Sequence, residues 1–354
     1  MPDSGIVTPG ENAMKLDGAL SMSVPAAAHE AARFEALGMD GAWSFEGSHD
    51  PFIPLALAAQ STDRITLGTG IAVAFARNPM TAAHSAWDLQ QLTGGRFVLG
   101  LGSQIRPHIE KRYSMPWSHP AARMREYVSA VRAIWSSWQT GDKLNFRGDF
   151  YTHTLMTPVF SPRPLKSEPP PIYVAGVGPL MMRTIGAVAD GYLVHPFHTP
   201  AHLRAETLPA LAAGAAEMGR HVDDICISCQ TIVAMGDTEE TLAVARKNAK
   251  GQVAFYSSTP AYKGVLAAHG YEELQGELNL MTKQGRWGEM AEQIDDTLFD
   301  LIVVSGTPSE VGQTLAARNT FAQRTTPTFY GPKPSDESIT AFVAAYRSAQ
   351  TAGA

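Results

Sequence analysis

Short apolar runs alternate with amphipathic stretches along almost the whole chain. Runs rich in β-branched and aromatic residues predict strands at Met14–Ser21, Gly41–Phe45, Ile65–Gly70, Arg96–Leu101, Ile172–Ala175, Tyr192–His195, Ile225–Ala234 and Leu298–Val304. Between them the period lengthens, predicting helices over Pro25–Leu37, Phe52–Gln60, Pro79–Leu92, Ala121–Trp138, Pro179–Ala187, Pro200–Met218, Thr238–Phe255 and Pro308–Arg318, with a last one at Ile339–Ser348. Start and stop signals agree: Pro25 and Pro79 suit a first helical turn, and Gly38 suits the position after a helix end. Leu144–Thr152 reads as a small hairpin, and the proline-rich stretch Pro158–Pro171 as a loop.

Strands alternating with helices favour a parallel sheet covered on both faces. Two architectures fit: a (β/α)₈ TIM barrel and an open doubly wound sheet. The open sheet calls for a glycine cluster after its first strand, but Ser21-Met22-Ser23-Val24-Pro25 has none. Gly100-Leu101-Gly102 and Gly176-Val177-Gly178 both lack the third glycine of a dinucleotide fingerprint. We therefore expect an α/β fold of the barrel type, one domain over 14–354, with a leader at 1–13. A partly helical insertion, about 256–297, is expected before the last strand.

Composition narrows the partners. Of the 354 residues, 44% are hydrophobic and 18% charged, and the net charge is −6. Nucleic acid and anionic membrane are poor matches for that balance. No apolar run reaches the roughly 18 residues of a membrane span. The first residues lack the basic-then-apolar pattern of a secretory signal, so a cytoplasmic protein acting on a small molecule is expected. Cys226 and Cys229 invite a redox or zinc reading. Three apart on a strand, however, they face opposite ways, and two ordinary thiols are expected.

Barrel active sites are built from the loops that follow the strands. After the second strand come Glu46, Ser48, His49 and Asp50-Pro51. Asp50 and Pro51 suit the cap of the next helix, while Glu46 and His49 are either acid/base groups or part of that cap. After the third strand, Gly70-Ile71-Ala72-Val73-Ala74-Phe75 is apolar, which suits the backing of a flat ring or a strand that runs long. After the fourth come Ser103, Gln104 and a polar, aromatic loop. After the fifth, Gly176-Val177-Gly178-Pro179 opens into a helix, where free amides attract a phosphate. After the sixth, His195 is either a ligand contact or a hydrogen-bonded structural histidine.

Three segments carry a family resemblance: Leu67-Gly68-Thr69-Gly70-Ile71 with Asn78-Pro79, Gly94-Gly95-Arg96-Phe97-Val98-Leu99-Gly100-Leu101-Gly102-Ser103, and Val174-Ala175-Gly176-Val177-Gly178-Pro179 with Ala189-Asp190-Gly191. Their order and content resemble the luciferase-like monooxygenase superfamily, in particular its coenzyme F420-dependent oxidoreductase branch. The resemblance implies a barrel with an insertion after the seventh strand and a non-prolyl cis peptide at Gly70–Ile71. It implies a deazaflavin ring against Gly70, Ile71 and Ala72, a phosphate on Gly176, Val177 and Gly178, and further coenzyme contacts from Ser103, Gln104 and His195. It also implies hydride transfer between coenzyme F420 and an organic substrate, with His49 or Glu46 as proton carrier, and a homodimer. Two departures stand out. Gln104 occupies the place where the branch's sugar-phosphate and alcohol dehydrogenases carry a glutamate, and Glu46 and His49 are not adjacent. An FMN-dependent monooxygenase with a partner reductase, and a non-enzymatic flavin-binding barrel, are the alternatives.

Overall fold

The computed structural model describes residues 14–352; the leader expected at 1–13 lies outside them. Eight parallel strands close into a barrel: β1 (Lys15–Ala19), β2 (Gly41–Ser44), β3 (Thr66–Thr69), β4 (Phe97–Gly102), β5 (Ile172–Ala175), β6 (Gly191–Val194), β7 (Cys226–Met235) and β8 (Arg324–Phe329). Each pairs with the next, and β8 pairs with β1 through Lys15 opposite Arg324 and Leu16 opposite Thr325. The chain is thus a (β/α)₈ TIM barrel.

Helices α1 (Ala27–Ala36), α2 (Phe52–Ala59), α3 (Pro79–Leu92), α4 (Pro120–Thr140), α5 (Pro179–Val188), α6 (Leu208–Glu217), α7 (Glu239–Ser257), α8 (Pro308–Arg318) and α9 (Asp336–Ala352) wrap it. Their ends follow local chemistry. Asn78 caps α3 by accepting from the Thr81 amide at 3.0 Å, with Pro79 in the first turn. Gly141, at φ 80°, ends α4. None of the helices of the described residues is long and apolar enough to cross a membrane.

The last strand departs from expectation. The apolar run Leu298–Val304 is mostly helix: Asp295 accepts from the Leu298 amide at 2.7 Å and caps Asp296–Ile302. Only Val303–Gly306 is extended, and it pairs with the outer end of β7 rather than closing the barrel. A short apolar run has the same pattern in a buried helix and a buried strand. The strand that does close the barrel reads Arg-Thr-Thr-Pro-Thr-Phe, where Pro327 argues against a strand. It is tolerated because β1 pairs only with Arg324 and Thr325, below the proline.

Residues 256–297 hold the end of α7, short helical turns at Pro260–Tyr262 and Trp287–Gln293, and helices Lys263–Ala267 and Glu272–Lys283. They form their own apolar cluster with Val253, Leu266, Leu278 and Phe299, packed beside the barrel.

Inside the barrel, Asp17 of β1 is fully buried and meets the nearly buried Arg324 of β8 through two bonds, Nε to Oδ2 at 2.8 Å and Nη2 to Oδ1 at 2.6 Å. The Trp43 indole of β2 donates to Asp17 Oδ2 at 2.8 Å. A carboxylate and a guanidinium so far from water are tolerable only because each satisfies the other. Replacing Asp17 with Asn leaves Arg324 an uncompensated buried charge. Urea unfolding should show a loss of about 3–5 kcal/mol; a loss under about 1 kcal/mol would contradict this role.

Candidate active site

The C-terminal ends of the strands open into one cavity of about 1090 Å³. Its floor depends on close packing among β2, β3 and β4. The Trp43 ring lies where a side chain on Gly68 would be, 2.4 Å from that ideal Cβ. The Thr69 carbonyl passes 1.7 Å from where Gly100 would carry a Cβ, and the Thr69 hydroxyl donates to the Gly100 carbonyl at 2.7 Å. Only glycine lets the two strands approach so closely.

From there the chain turns through Gly70–Ile71, whose peptide bond is cis. Glu46 ties this turn down. Its amide donates to the Ile71 carbonyl at 3.0 Å, and its Oε2 accepts from the Val73 amide at 2.7 Å and forms an ion pair with Arg77. Its Oε1 accepts from the Tyr113 hydroxyl at 2.7 Å. Burial, then the Glu46 carboxylate, push the Tyr113 hydroxyl up to about 12, so it stays a donor. Ala72–Val73 pairs with Leu101–Gly102 as a short extra strand, which makes this apolar segment part of the sheet.

Among the residues expected from sequence, Gly70, Ile71, Ser103, Gln104, Gly176, Val177, Gly178 and His195 line the cavity together. Ala72 is fully buried in the sheet behind them. Glu46 and His49 are not on the cavity wall. Glu46 is engaged as described; His49 Nδ1 lies 3.3 Å from the Asp50 carbonyl, and its Nε2 is buried without a partner among the described residues. Asp50 accepts from the Phe52 amide at 2.9 Å at the start of α2, the capping role expected of it. The two thiols are free and face opposite ways. Cys226 packs with Tyr173 and Trp43 inside the barrel, and Cys229 lies 3.3 Å from His198 Nε2.

The Gly176-Val177-Gly178 turn meets the start of α5 with no side-chain cap, and Gly178 sits at φ 82° with open space around it. These residues line the cavity, and amides at an uncapped helix start are ready anion donors. Two arginines missed from sequence, Arg125 on α4 and Arg183 on α5, line the same region. Helix positions carry no loop signal, so neither stood out. Gln230 was missed as well, although a glutamine amid the apolar run of β7 is such a signal. Its Nε2 lies 3.6 Å from the ideal Cβ position of Gly70.

On the far side, His195 closes the wall. Its Nδ1 accepts from the Phe197 amide at 3.1 Å, which leaves the proton on Nε2. Its ring stacks on Tyr262 at 4.5 Å and 21° and meets the edge of Tyr256 at 4.7 Å. Burial pushes its pKa down to about 3, and His198, wholly buried beside it, also falls to about 3 through burial and the Arg318 charge.

The family model described as luciferase-like monooxygenase matches residues 3–324. The chain belongs to that family. An uncharacterized protein of Mycobacterium tuberculosis is 48% identical over 309 residues, covering 87% of this chain and 91% of that one. An F420-dependent glucose-6-phosphate dehydrogenase of Nocardia farcinica is 33% identical over 203 residues, covering 53% of this chain and 58% of that one. The fold is shared with a coenzyme F420-dependent tetrahydromethanopterin reductase from Methanopyrus kandleri, at a TM-score of 0.76 and 22% identity over 93% of this chain and 97% of that one. Within this luciferase-like barrel, Glu46 anchors the turn behind the cavity and His195 forms part of the wall.

The neutral histidines make stability depend on pH. An unfolded histidine takes a proton below about pH 6.5, while these two resist it until about 3. Their contribution is complete above the unfolded value and is lost as pH falls through this window, because the unfolded state then binds more protons. Denaturant unfolding of His198→Gln between about pH 6 and 4 should lose stability less steeply than the parent by close to one proton, about 1.4 kcal/mol per pH unit. An unchanged slope would overturn the reading.

Proposed function

We propose that this chain is an oxidoreductase that binds coenzyme F420 and exchanges hydride between it and an organic substrate. One observation carries the reading: a single cavity is walled both by the Gly70–Ile71 backbone and by the uncapped start of α5 with Arg125 and Arg183. The first is a flat apolar surface suited to the back of a deazaflavin ring. The second supplies backbone amides and guanidinium groups suited to a phosphate and an acidic tail. The cavity's volume of about 1090 Å³ suits a coenzyme and a substrate together. The relative in Nocardia named for F420 supports the same choice.

In this reading Ile71 backs the ring, and Ser103 and Gln104 offer hydrogen bonds to its edge. Gly176, Val177 and Gly178 hold the phosphate. Gln230 reaches over Gly70 from β7. Glu46 works as a positioning residue: with its oxygens committed to Val73, Arg77 and Tyr113, it fixes the backstop rather than carrying a proton. His49, away from the wall, is assigned no step. When bound, the deazaflavin supplies a two-electron hydride chemistry; the protein orients the two reactants and excludes water.

The test is a fluorescence titration of the purified protein with F420 and with FMN. We expect saturable quenching by F420 at micromolar concentrations and much weaker binding of FMN. Arg183→Ala combined with Arg125→Ala should weaken F420 by about 10–100-fold, the worth of charge-assisted hydrogen bonds, with little change in thermal stability. Tighter binding of FMN would favour the monooxygenase alternative. Tight binding of F420 with no turnover across a broad panel would favour a binding protein.

A further inference from the structure

The cavity is electrically divided. Its arginines, Arg106, Arg125 and Arg183, come from the segment after β4 and from α4 and α5; Arg183 is ion-paired with Glu217, which lines the same part, and Arg106 with Glu110, so Arg125 has no carboxylate partner among the described residues. The opposite part, formed by the end of β6, β7 and the insertion, is lined by His195, Gln230, Thr259, Ala261 and Tyr262 and, among the described residues, has no lysine or arginine. Behind the His195–Tyr262 stack lies a side chamber of about 260 Å³, which both of those residues also line. Its walls include Tyr192, Phe197, Leu203 and Val265, with no lysine or arginine among the described residues, and on one side Val177 and Gly178 of the turn assigned to the coenzyme's phosphate.

The titratable groups there are uncharged or repel anions. Burial pushes His195 and His198 down to about 3 and lowers His202 as well. Burial raises the Tyr262, Tyr256 and Tyr192 hydroxyls, so they keep their protons. Glu206 stands at the chamber's rim, its side chain 66% exposed, 3.9 Å from His202. The Val177–Gly178 amides are committed to the coenzyme's phosphate in this reading, so a further anion here would lose its hydration beside that phosphate and the Glu206 carboxylate, with no lysine or arginine to compensate. A neutral ring instead gains aromatic contact area, and the His195 Nε2–H is a donor that a carbonyl oxygen would satisfy.

We propose that this half of the cavity takes an uncharged, ring-bearing carbonyl compound, with its oxygen on His195 Nε2 and its ring on the Tyr262 side. The inference rests on the F420 reading above, because it assigns the arginine-lined half to the coenzyme's acidic part. It moves His195, expected from sequence as a coenzyme contact, to the substrate.

The test uses the F420-loaded protein and calorimetric titration with two probes, acetophenone and benzoylformate, which carry the same aryl ketone but differ by a carboxylate. Acetophenone should bind at least about tenfold more tightly. His195→Phe keeps an aromatic face for Tyr262 and removes the N–H; it should weaken acetophenone by about tenfold while F420 affinity stays within about twofold. Equal or tighter binding of benzoylformate, or binding of neither probe, overturns the inference and leaves the coenzyme reading standing. A His195→Phe protein that loses F420 affinity instead overturns it as well, by returning His195 to the coenzyme. Failure of the parent protein to bind F420 removes the coenzyme reading and this inference together.

Discussion

The bidentate pair between Asp17 and Arg324 sits where a barrel is weakest in sequence terms, at the seam joining its first strand to its last. The two residues are 307 positions apart and meet almost without water. Neither charge is acceptable there alone, so the pair selects the one register in which both are satisfied. Its influence does not stop at the seam. Asp17 also receives the Trp43 indole N–H, which sets the ring that packs beneath Gly68 and within 3.5 Å of the Gly70 Cβ position. A buried ion pair on the first and last strands thereby reaches the turn that walls the active cavity.

A second set of ties holds that turn from above. Glu46, at the end of β2, grips the segment after β3 through the Ile71 carbonyl, the Val73 amide and the Arg77 guanidinium. Thr69 and Gly100 lock β3 against β4 from below. In the proposed function this surface receives a flat ring, and such a surface has to be rigid before the ring arrives, since movement on binding costs affinity. An acidic residue beside an active site is easily taken for a catalyst; here its oxygens are already occupied by the scaffold.

The distribution of charge around the cavity turns a general fold into a particular site. Strand ends supply glycine, serine, glutamine and histidine, and the segment after β4 with helices α4 and α5 supplies the arginines. The insertion brings the Tyr262 ring to the wall and, among the described residues, no lysine or arginine. The proposed assignment gives each half a different kind of molecule, and the cavity sets the two within reach of one another.

The chain's sequence by itself determined the alternation of strands and helices, the barrel class, and the backbone parts of the site, because period, glycine position and helix-start signals are local properties. Gly176–Gly178 and Gly70–Ile71 were legible for that reason. The tertiary structure alone decided which strand closes the barrel, since Leu298–Val304 reads locally as a strand and Arg324–Phe329, with Pro327 inside it, does not, and pairing with β7 and β1 settled the matter. It alone showed that Glu46 is a tie and not a wall residue, and that Arg125, Arg183, Gln230 and Tyr262 converge on one cavity. Those are facts of long-range contact, created when the ends of distant strands meet, and no local pattern encodes them.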